Sequence, residues 1–79
     1  MSSVYEIKPV RAKLIELADL FRKNDPDAPA EYGDVLAIAT DIAGRARPIL
    51  LAGVVAGALD VMPGETRAAY GDRLLEVLR

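Results

Sequence analysis

The chain reads as all-α, a small bundle of four helices joined by short loops. Three observations predict it. Apolar residues recur at three- and four-residue spacing in several long stretches. No stretch shows the strict apolar–polar alternation of a half-buried strand. Proline and glycine punctuate the sequence at three places, near residues 24–30, 44–48 and 62–64, and cut it into four segments.

The first helix is expected over about residues 9–23. Pro9 suits a first turn, where its missing N–H costs nothing. Val10, Leu14, Leu17 and Phe21, with Ala18, form one apolar stripe, and Ile15 and Leu20 widen it. Asp19 and Lys23 are spaced to pair across one turn. Asn24-Asp25-Pro26-Asp27-Ala28-Pro29-Ala30 is a loop by its chemistry, since each proline forces its predecessor out of the helical region.

The second helix is expected over 29–44, with Val35, Ile38, Ala39 and Ile42 inward, helped by Tyr32 and Leu36. Gly44 is a natural helix end. Pro48 follows four residues later, and inside one continuous helix it would clash with the Gly44 carbonyl at about 3 kcal/mol. A break and a third helix over 48–60 are the cheaper solution. Met62-Pro63-Gly64 makes the next break. The last helix is expected over 65–79, with Tyr70, Leu74 and Leu78 inward, joined by Leu75 and Val77. Gly71 weakens its middle by about 1 kcal/mol relative to alanine.

The third helix is unusual. Pro48 to Leu59 holds no charged, hydroxyl or amide side chain, so the helix has no polar face to turn to water. It is expected to be covered by the rest of the chain or by a second copy. Gly53 and Gly57, four apart, form a small-xxx-small pattern that lets backbones approach. Leu50, Gly53, Val54 and Gly57 are therefore the candidate helix-packing or dimer contacts.

A 79-residue chain is expected to form one domain with a small core, because such domains bury only about 60% of their extended-chain surface. It contains neither Cys nor His, which excludes disulfides and zinc sites built on those ligands. Self-association or a well-packed helical core remains as the supplement, and a homodimer is expected. The N-terminus lacks the basic-then-apolar pattern of a secretory signal. The apolar run at 48–59 is too short to span a bilayer, so a cytoplasmic protein with no membrane role is expected.

Catalytic chemistry is not indicated. The hydroxyls are Ser2, Ser3, Thr40, Thr66 and three tyrosines, and no nucleophile or phosphate-loop motif occurs. No cofactor or metal is expected. The length and acidity are similar to those of acyl carrier proteins, whose Asp-Ser-Leu attachment motif opens the second helix. No serine follows Ser3, so the residue that would carry that function is missing.

Charge gives the remaining hint. The net charge is −2, which speaks against nucleic-acid binding. A helix-turn-helix over the second and third helices would present no polar side chain to a base edge. Arg45 and Arg47 flank the break between them, and Arg45 is spaced to pair with Asp41. The stretch from Asn24 to Gly44 holds Asp25, Asp27, Glu31, Asp34 and Asp41 and no basic residue. Asp25, Asp27, Glu31 and Asp34 are the candidate acidic face for a partner with a basic surface. The first expectation is a non-enzymatic protein–protein interaction module, a small regulatory or adaptor protein. The alternative is a small acidic inhibitor, of the phage anti-defence type, that occludes a nucleic-acid-binding machine. A DNA-binding regulator ranks third.

Overall fold

The computed structural model describes residues 4–44 and 47–79. Ser2 and Ser3, and Arg45 of the expected Asp41–Arg45 pair, lie outside the described residues. Among the described residues, four α-helices form a small all-α bundle: α1 (Lys8–Lys23), α2 (Tyr32–Ala43), α3 (Pro48–Gly57) and α4 (Arg67–Leu78). A short 3-10 turn, Val4–Glu6, precedes them.

The α1 stripe lies where its spacing puts it. Val10, Leu14, Leu17, Ala18 and Phe21 are buried. They meet Val35 and Ala39 of α2, Val54 of α3, and Tyr70, Leu74 and Leu78 of α4 in one core. α1 packs most extensively on α4. There Phe21 and Tyr70 face each other with ring centroids 4.9 Å apart and tilted by 51°, a favourable aromatic geometry. The Cα radius of gyration, 11.7 Å, is that of a self-packed chain of this length, about 12 Å.

Helix boundaries depart from the expected ones. α2 begins at Tyr32 rather than Pro29, and α4 at Arg67 rather than Glu65. One physical reason covers both. The loop over 26–30 lies beside the start of α4: it turns at 25–28, where the Ala28 N–H donates to the Asp25 carbonyl, and Pro29 then bridges Thr66. The Ala30 N–H donates to the Glu65 carbonyl at 2.9 Å, the Arg67 N–H to Ala28 at 2.9 Å, and the Ala68 N–H to Pro26 at 3.0 Å. Thr66 caps the helix, its Oγ1 accepting from the Ala69 N–H at 3.2 Å. The first-turn donors of α4, which its own helix leaves unpaired, are thus satisfied by the loop before α2 and by the Thr66 cap.

α3 ends at Gly57, three residues before the expected Asp60. Leu59, Asp60 and Val61 run on into the turn Met62-Pro63-Gly64-Glu65, where the Glu65 N–H returns to the Met62 carbonyl at 3.1 Å. Gly64 has φ +76°, the backbone that the third position of a type II turn requires. Tyr32, Leu36 and Val77, expected to help the inner stripes, stay exposed instead. Asp19 pairs at 3.8 Å with Arg22 rather than with Lys23.

Candidate functional site

The all-apolar α3 is covered on one side only. Val54 and Gly57 are buried, while Ile49, Ala52 and Ala56, spaced along its outer face, are exposed. The covered side rests on α1 and α2 alike, and the two glycines face α1. A Cβ added at Gly53 would lie 2.7 Å from Cγ2 of Val10, and one added at Gly57 would lie 2.7 Å from Cδ1 of Leu14 and 3.2 Å from Cγ2 of Val4. The Tyr5 hydroxyl donates to the Gly57 carbonyl at 2.9 Å and straps the chain start across the end of α3. The two glycines therefore serve close packing within one chain. Gly57→Leu is expected to lower stability by roughly 1–2 kcal/mol, because the Leu14 methyl yields more easily than backbone. Thermal melts of variant and parent check it, and an unchanged melting temperature would contradict the packing.

Where α3 begins, its outer edge and the start of α1 enclose an open apolar groove of about 620 Å³. Ile7, Pro9 and Val10 form one wall, and Pro48, Ile49, Leu50 and Gly53 the other, with Arg47 at the rim. Ile49 is 88% exposed, far more than a branched apolar side chain usually is. Neither helix carries an acidic residue in its first turn. Of the four α3 candidates, Leu50 and Gly53 line this groove, whereas Val54 and Gly57 are packed inside the chain.

The acidic face is only partly assembled. Asp25, Asp27 and Glu31 are exposed, with Asp25 in a left-handed conformation at φ 49°. Asp34 is taken up by α4: Arg67 Nη1 reaches its Oδ2 at 3.0 Å. Arg67 also donates through Nε to the Asn24 carbonyl at 2.8 Å and lies 4.8 Å from the centre of the Phe21 ring. With Arg67 only 12% exposed, the pair holds the loop, α2 and α4 together. Asp34→Asn is expected to cost about 1–2 kcal/mol in urea unfolding, as loss of a hydrogen bond to a charged group does. Asp25→Asn should stay within about 0.5 kcal/mol. Equal effects of the two would contradict this division of roles.

The perturbed ionisable groups form a second clamp. Arg73 grips Glu65 with two parallel bonds of 2.9 Å and also donates to the Asp60 carbonyl. Glu65 Oε1 accepts from the Met62 N–H at 3.1 Å. The Arg73 hydrogen bonds hold the Glu65 carboxyl below its usual range, and Glu65 in turn raises Arg73. Such perturbation often marks an active site. Here both charges are spent on each other and on the chain turn that leads into α4. No buried side-chain polar atom lacks a partner, and no acidic cluster suited to a metal ion occurs, among the described residues. Nor is any described helix long and apolar enough to cross a membrane.

Neither a known protein family, nor a curated protein, nor a solved structure matches the chain.

Proposed function

We propose that the protein is a non-enzymatic protein–protein interaction module, a small regulatory or adaptor protein working in the cytoplasm without cofactor or nucleic acid. The observation that carries this reading is the open apolar groove with Ile49 exposed on its wall. A polar surface costs nothing to leave in water, whereas an apolar groove with an uncovered branched side chain gains about 25 cal/mol for each Å² a partner covers. The described lining of the groove is apolar apart from Arg47, which suits contact with a protein surface.

The acidic-inhibitor reading rests on Asp25, Asp27 and Glu31, the three exposed carboxylates of the original four. It predicts association that slows steeply with salt, whereas the groove reading predicts an apolar contact with weak salt dependence.

A photo-crosslinking residue at position 49, expressed in the native cell, tests the groove reading. Protein adducts at position 49, absent from the same probe at exposed Glu76, are the expected result. Equal or absent labelling at both positions would sink it.

A further inference from the structure

The same chain carries a surface that fits the groove. On α2, Tyr32 is 53% and Leu36 39% exposed. They lie one helical turn apart and project as a pair of apolar knobs. Between them in sequence Gly33 stands in open space, with nothing within 4 Å of an added Cβ, and Ala37 next to Leu36 is also exposed. The outer face of α2 is thus ridged by two large side chains and low beside them. Its flanking charges are acidic: Asp27 and Glu31 before it and Asp41 toward its end, all exposed. The groove is the complement in both respects. It is concave and apolar, its rim charge is Arg47, and exposed Lys8 sits between the lining residues Ile7 and Pro9.

We propose that the groove between α1 and α3 receives the outer face of α2 from a second copy of this chain, reciprocally, so that two chains close as a dimer. This rests on the interaction-module reading and names the partner of that site. An amphipathic helix laid into an apolar groove is a recurrent recognition mode, with anchors one turn apart. Two-fold symmetry makes each contact occur twice and leaves no free groove to propagate. The basic residues beside the groove complement the acidic residues that flank α2 at both ends.

The test uses the full chain and light scattering at micromolar concentration. The parent is expected to show the mass of two chains. Ile49→Asp, in the groove, and Tyr32→Glu, on α2, are each expected to weaken association tenfold or more while leaving the melt cooperative, because both side chains are already in water in the single chain. Leu36→Asp provides a second α2 variant. The decisive sample is a mixture of the groove variant with an α2 variant. That pair retains one intact contact, so two-chain mass should return at a concentration where neither variant alone shows it. A parent of single-chain mass, a mass growing beyond two, variants that stay dimeric, or a mixture that fails to recover would each overturn the proposal. If the parent is a single chain and the position-49 probe captures another protein, the module reading stands and only the second-copy partner falls.

Discussion

Replacing Gly71 by leucine is expected to lower stability by about 3 kcal/mol, the upper end for overpacking. For a chain of this size that is a fall of roughly 10–25 °C in melting temperature. Gly71 is buried where α4 crosses α1. A Cβ there would lie 2.6 Å from the Ala18 carbonyl oxygen and 2.7 Å from Cγ of Arg22. The Arg22 stem can swing away, but the carbonyl belongs to the α1 backbone and moves only if the helix does. Gly71→Ala separates this from propensity. In an exposed helix that change stabilises by about 1 kcal/mol. Here the clash should win, with a net loss of about 1–2 kcal/mol. A melting temperature equal to or above the parent's for Gly71→Ala would show that the helices cross less closely than this.

The role of Gly71 is hidden in the sequence because a lone glycine inside a helical pattern reads first as a local cost. Its reason is Ala18, 53 positions earlier, and nothing local points there. The α1 stripe was legible because burial there follows the helical period alone. The starts of α2 and α4 were not, because backbone pairing between residues about 35 apart decides them, as Ala30 with Glu65 shows. Asp34 reads locally as one more solvated acid, yet its partner Arg67 comes from another helix.

The groove was half legible. Leu50 and Gly53 stood out because α3 is apolar throughout, and both line it. Which side of α3 would face outward was hidden for the same reason. A helix with no polar residue has no amphipathic direction, so only its packing, on Val10 and Leu14 of α1 and on α2, turns Ile49 outward. Tyr32 and Leu36 look inward-facing in the sequence for the opposite reason. α2 is apolar over a wide arc, and the narrow contact made by Val35, Ala39 and Ala43 fills the space available.

Tyr70 should make the fold alkali-sensitive. Its ring is fully buried, and its hydroxyl donates to the Leu59 carbonyl at 2.8 Å. Burial pushes its pKa from 10.0 up to about 12, against the opposing pull of the nearby Arg73 charge. Below pH 10 the phenol is protonated in both folded and unfolded chains, and the shift has no effect on stability. As pH rises from 10 to 12 the unfolded chain loses the proton first. Ionisation then favours unfolding, and stability falls by about 2 kcal/mol across that window. Tyr70→Phe removes the titrating group. It should be about 1 kcal/mol less stable at pH 8, where the hydrogen bond to Leu59 is lost. It should also lose about 2 kcal/mol less than the parent between pH 8 and pH 11.5. Urea midpoints of both proteins at the two pH values give the comparison, every other group being common to both. Parallel losses in the two proteins would mean that the Tyr70 phenolate is accommodated in the folded chain, and that the α1–α4 core opens to water more readily than its packing implies.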